Sequence, residues 1–88
     1  MLFKPRRQEA QVARLRSIEP GTQVVRVHPT EVDCFYQTLT DQSGQTYLHL
    51  STFGSDERQS TPKSSQSLQL DETAARQLLQ ILRETFHL

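Results

Sequence analysis

The strongest constraint on the fold lies mid-chain. Two runs rich in β-branched and aromatic residues, Glu31 to Thr40 and Gln45 to Phe53, flank Asp41-Gln42-Ser43-Gly44. Glycine supplies the left-handed backbone that a tight turn often needs, so this pattern predicts a β-hairpin. Taking the four turn residues as the loop pairs Thr40 with Gln45, Tyr36 with His49, Cys34 with Ser51 and Val32 with Phe53. Alternation along the strands then creates two faces. One carries Phe35, Leu39, Leu48 and Leu50 and is apolar enough to meet a core. The other carries Val32, Cys34, Tyr36, Tyr47, His49 and Phe53, an aromatic and half-polar set. Both assignments depend on register, because a loop one residue longer or shorter mixes the two sets.

Around the hairpin the chain reads as shorter elements. Residues 8–18, QEAQVARLRSI, place Val12, Leu15 and Ile18 three apart, which predicts a short amphipathic helix that Pro20-Gly21 would stop. A strand is the alternative, since Arg14 and Arg16 alternate with Ala13, Leu15 and Ser17. Thr22 to Val27 is β-branched and predicts a short strand ending at Pro29. Gly54 to Ser67 lacks any large apolar side chain, and a loop of that length is usually functional or mobile. Ser65 to Leu70 alternates polar residues with Leu68 and Leu70, so part of this stretch can be strand. Asp71 can cap a following helix with its carboxylate. In that helix Ala75, Leu78, Leu79, Leu82 and Phe86 form one apolar stripe.

These elements make one domain over residues 1–88: a basic segment at 1–21, a strand and hairpin at 22–53, a polar loop at 54–67, and a short strand with a terminal helix at 68–88. The predicted class is α+β, an antiparallel sheet of three to four strands with the C-terminal helix packed on one face and a short N-terminal helix or extension. A core is within reach, because 22 of the 88 residues are Leu, Ile, Val or Phe. The sheet still has one more semi-apolar face than a single helix covers, which predicts a homodimer. No apolar run is long enough for a transmembrane helix or a secretory signal core, and Cys34 is the only cysteine. The expectation is a cytoplasmic protein with no membrane partner.

Charge and motifs narrow the function classes. The chain is neutral overall, so it does not coat DNA by charge alone. Locally, residues 1–30 are net basic and residues 31–62 net acidic. There is no nucleophile elbow, no Gly-rich phosphate loop and no dinucleotide fingerprint. One Cys and three His lack the paired spacing of a zinc site. Cys34 and His49 could meet as nucleophile and base if they share a sheet face, although a cysteine on a sheet is usually a small core hydrophobe. The expectation is a non-catalytic protein with no cofactor and no metal.

What remains is a binding constellation. Tyr36, Tyr47 and Phe53, with His49 beside them, would form a strip of flat rings on one sheet face, with Arg26, Arg58 and Lys63 near its ends. Rings stack bases without demanding a sequence, and cations hold phosphates, which is how sheet platforms grip single-stranded nucleic acid. The alternative is a protein-interaction or assembly module whose sheet face or open edge binds another polypeptide.

A resemblance points the same way. Residues 46–82, TYLHLSTFGSDERQSTPKSSQSLQLDETAARQLLQIL, resemble the positive-cofactor-four type of single-stranded-DNA-binding coactivator domain. Pro62-Lys63 corresponds in kind to that family's Pro-Lys turn, and Leu68-x-Leu70 followed by Asp71 to its last strand and helix start. The family's Lys-Gly pair before that strand is Ser64-Ser65 here, and its lysine-rich strand surface is missing. The resemblance implies a twisted antiparallel sheet followed by a helix, dimerisation largely through the helices, and basic and aromatic sheet residues that bind unpaired strands. The stretch is also similar to small bacterial proteins of unassigned function.

Overall fold

The computed structural model describes residues 11–53 and 64–88. Within them the chain forms β1 (Gln11–Arg14), β2 (Asp33–Thr40), β3 (Thr46–Phe53), β4 (Ser64–Leu70) and α1 (Glu72–Phe86). The strands make one sheet in the order β1-β4-β3-β2. The class is α+β, as expected, but the sheet is mixed: β2–β3 and β3–β4 are antiparallel, whereas β1 runs parallel to β4.

The hairpin forms between the expected runs with a register one residue away from expectation. Thr40 pairs with Thr46, and the ladder continues through Tyr36 with Leu50 to Asp33 with Phe53. The cause lies in the turn. The Gly44 N–H donates to the Asp41 carbonyl at 3.0 Å, and the Asp41 N–H donates to the Gln45 carbonyl at 2.9 Å. Gly44 sits at φ 91°, in the left-handed region. The result is a tight turn closed by a left-handed glycine, with Gln42, Ser43 and Gly44 as a loop of odd length. Asp41, just beyond β2, faces Gln45 across the turn instead of joining the loop, and this single step moves every β3 side chain to the other face relative to β2.

Two further expectations are corrected. The helix over 8–18 is not present in its described part: residues 11–14 are strand β1, the alternative that the alternation around Arg14 allowed, and residues 8–10 lie outside the described residues. A local spacing of three can be overridden when β4 offers a ladder; the Leu15 N–H extends that pairing to the Gln69 carbonyl at 2.9 Å. Thr22 to Val27 forms no strand. Its β-branched residues have the propensity, but a strand exists only with a partner to complete its hydrogen bonds. Ser64 and the residues after it, placed largely in the polar loop by composition, are already β4.

The helix begins as the sequence predicts. The Asp71 carboxylate accepts the Ala74 N–H at 2.9 Å, satisfying one of the free amides of the first turn. It ends at His87 in the left-handed conformation, where the chain turns back onto the Arg83 carbonyl. Contact with the sheet is concentrated at the start of the helix. Leu70, 2% exposed, and Ala74 are the buried apolar residues there. An open cleft of about 530 Å³ lies between Thr38, Thr46, Leu48 and Leu70 on the sheet and Asp71, Glu72 and Ala75 on the helix. Further along, Leu79, Leu82 and Phe86 of the apolar stripe stay exposed.

Candidate functional site

The corrected register builds two sheet faces of different chemistry. Cys34, Tyr36 and Thr38 share a face with Leu48, Leu50, Leu68, Leu70 and Ala13, the face that meets the helix. The opposite face carries Phe35 and Leu39 from β2, Tyr47, His49, Ser51 and Phe53 from β3, Ser67 and Gln69 from β4, and Val12 and Arg14 from β1. We call these the leucine face and the ring face.

The ring face has aromatic groups at both ends and a polar network between them. At one end Phe35 and Phe53 meet edge to face, with centroids 5.3 Å apart and planes at 81°, the arrangement favoured by the ring quadrupole. Phe35 is 60% exposed. At the other end the Arg14 guanidinium lies 5.5 Å from the centre of the Tyr47 ring, within the range of a cation–π interaction. Arg14, Tyr47, Leu39, Thr40, Asp41 and Gln69 line a shallow depression there.

Between the two ends the polar side chains satisfy one another. His49 Nε2 and Ser51 Oγ are 2.9 Å apart, Ser51 Oγ and Ser67 Oγ 3.0 Å, and Gln69 Nε2 and His49 Nδ1 3.0 Å. Ser51 and Ser67 are buried. Their pairing removes the penalty that an unpartnered hydroxyl would carry. The Gln69 amide is a donor through its nitrogen, so His49 accepts at Nδ1, carries its proton at Nε2 and donates to Ser51. The imidazole is thereby held in the network by both ring nitrogens.

Asp41 anchors the turn at the Tyr47 end. One carboxylate oxygen accepts the Ser43 N–H at 2.9 Å, the Ser43 hydroxyl at 2.8 Å and the Gln45 N–H at 3.0 Å. The other accepts the Tyr47 hydroxyl at 3.2 Å. The Ser43 hydroxyl first, then the Gln45 amide, hold the Asp41 carboxyl below its ordinary pKa. Tyr47 is therefore tied to the loop by its hydroxyl while its ring carries Arg14.

The sequence-predicted site residues are divided by this geometry. Tyr47 and Phe53 share the ring face with His49, whereas Tyr36 lies on the leucine face, opposite Leu50. A continuous strip of all three rings is therefore not formed. Arg26 is exposed in the connection between β1 and β2. Arg58 and Lys63 lie outside the described residues. Cys34 pairs with Thr52 and His49 with Gln37, which puts the thiol and the imidazole on opposite faces and separates the nucleophile–base pair considered from sequence. Phe35, Arg14 and Gln69 were not among the predicted site residues. The signal for Phe35 was present, since a one-residue slip exchanges it with Tyr36. For Arg14 and Gln69 there was none, because only the parallel pairing of β1 with β4 brings them to the same face.

Compared with known proteins, the chain matches no family model, no curated protein and no solved structure. No helix among the described residues is long and apolar enough to cross a membrane.

Proposed function

We propose that the chain is a non-catalytic binding module whose ring face takes single-stranded nucleic acid. The observation that carries this reading is the pairing of ring groups with a cation on a sheet face that α1 leaves open. Phe35 and Phe53 stand at one end, and Tyr47 with Arg14 over it stands at the other. Aromatic planes accept any base, and the guanidinium can bind a phosphate or stack in its turn. The resemblance of residues 46–82 to a single-stranded-DNA-binding coactivator domain favours the same ligand, and the lone Cys34 suits a reducing cytoplasm.

The test is anisotropy of a fluorescent poly-pyrimidine strand titrated with protein at two salt concentrations. Binding that weakens as salt rises, and that falls several-fold in Arg14→Ala and in Phe35→Ala, supports the reading. Absence of binding at low salt, or binding that neither substitution alters, overturns it.

A second reading, assembly with a further copy of the chain, is favoured by the apolar groups left open. Tyr36 is 73% and Phe86 63% exposed, and Leu79, Ile81, Leu82 and Leu88 are exposed beside Phe86. Apolar surface this extensive, with two buried apolar residues among those described, is unusual for a chain that works alone. A homodimer that buries the helix stripe is the form in which the module would act. Light scattering on the intact chain should then give twice the chain mass, and Leu82→Asp should shift it toward one. A single-chain mass at all concentrations overturns this reading.

A further inference from the structure

Two features belong to neither sheet face. The segment Thr22 to Val27, TQVVRV, has the composition of a strand, yet Val24, Val25 and Val27 are 97%, 77% and 96% exposed. The outer edge of β2 is bare: among the described residues β2 pairs only with β3. All eight of its residues are exposed. Within DCFYQTLT there is no Lys, no Pro and no bulge of the kind that protects natural edges from another strand.

We propose that Thr22–Val27 of one chain adds as an antiparallel strand to the free edge of β2 in a second copy, and that the exchange is reciprocal. This rests on the reading above that the chain assembles with a further copy, and adds a second contact to the helix stripe named there. Charge and shape select the register. With Arg26 opposite Asp33, Val24 falls opposite Phe35 and Thr22 opposite Gln37, extending the ring face by one strand. The other side of the added strand sets Val25 opposite Cys34 and Gln23 opposite Tyr36. An opposite-charge pair and a β-branched–aromatic pair are favourable cross-strand neighbours, and the unpaired backbone groups of the β2 edge from Asp33 to Gln37 gain partners.

The occupant is a second copy because the chain does not fold the segment back on itself. Between the segment and β2 lies a short bend at Pro29, with the Thr30 N–H donating to His28 Nδ1 at 3.2 Å and the Thr30 hydroxyl 3.0 Å from the same atom. Beyond that bend the three valines project without a ladder. A short hinge followed by an extended arm is the arrangement from which identical elements exchange. Two arms related by a two-fold axis close both edges at once.

The test uses two full-length chains, each with Cys34→Ser, one carrying Val24→Cys and the other Phe35→Cys. Both substituted positions are exposed, so neither removes a buried group. The two chains are unfolded together, refolded, oxidised and run without reductant, with light scattering on the same samples. The expected result is a covalent dimer in the mixture, absent from either chain alone and lost on reduction. A dimer by mass without the mixed disulfide overturns the strand exchange and leaves the helix-mediated dimer standing. A single-chain mass overturns both. A chain bearing Val24→Cys and Phe35→Cys together that closes an internal disulfide as a monomer also overturns the exchange. In an independent variant, Arg26→Glu should lower the dimer fraction several-fold and Asp33→Arg in the same chain restore it; no rescue counts against the register.

Discussion

The two faces of the sheet solve opposite problems. On the ring face the polar side chains are closed on one another: His49, Ser51, Ser67 and Gln69 form one network, and Asp41 holds Tyr47. On the leucine face the apolar side chains are only partly closed, with Leu70 and Ala74 buried at the helix start and Tyr36 and Leu68 exposed. A polar face can be completed within one chain, because hydrogen bonds are short and saturable. An apolar face needs area, and one helix that touches the sheet at its first turn does not supply it. Stability should therefore be concentrated on the leucine face, where burial is complete at one point, and geometry on the ring face.

The largest expected effect tests the first half of that contrast. Leu70→Ala removes a buried side chain at the junction of sheet and helix and should cost about 2–5 kcal/mol in urea unfolding. Ser51→Ala on the ring face should cost less, about 1–2 kcal/mol, because it leaves Ser67 and His49 each short of one partner. If Ser51→Ala were to cost as much as Leu70→Ala, the division of roles between the faces would be wrong.

The smallest effect concerns pH. Because the folded Asp41 carboxyl titrates below the ordinary Asp value of about 3.9, its contribution to stability is present above that value. It is lost as pH falls through the ordinary value toward its own lower one. Ser43→Ala deletes the leading cause of the depression and should move the Asp41 titration, followed by carboxyl carbon chemical shift, back toward the ordinary value. An unchanged titration would show that the backbone amides and the Tyr47 hydroxyl set it without the Ser43 hydroxyl, and would sharpen the account of how the turn holds register.

Legibility from sequence differed sharply among elements. The helix was readable nearly to its ends, since its cap at Asp71 and its apolar stripe depend on residues within a few positions of one another. The existence of the hairpin was readable for the same reason. The candidate site was readable only in part: Tyr47 and Phe53 remain together, but Tyr36 belongs to the other face and Arg14 and Phe35 replace it. That error traces to Asp41, which sequence placed in the loop and which the structure sets opposite Gln45, leaving a loop of three residues. Nothing in composition distinguishes a turn residue from the last paired residue when its own side chain caps the turn.

The segments before β2 show the other limit. QVAR and TQVVRV both lie near helix-like or strand-like patterns, yet the first becomes a strand and the second does not. Its fate was decided by β4, more than fifty residues away, which offers Gln11 to Arg14 a parallel ladder from Gln66 to Gln69. Elements whose hydrogen bonds close locally were determined by the sequence alone: the capped helix and the turn between two strands. The hairpin register follows from that turn's own hydrogen bonds, which the residue types do not reveal, and one residue of slip exchanges a strand's two sides. Strand identity at the sheet edges, and with it the meeting of Arg14 and Gln69 on one face, was decided by tertiary pairing, because a strand's bonds are made to a partner the local sequence does not contain.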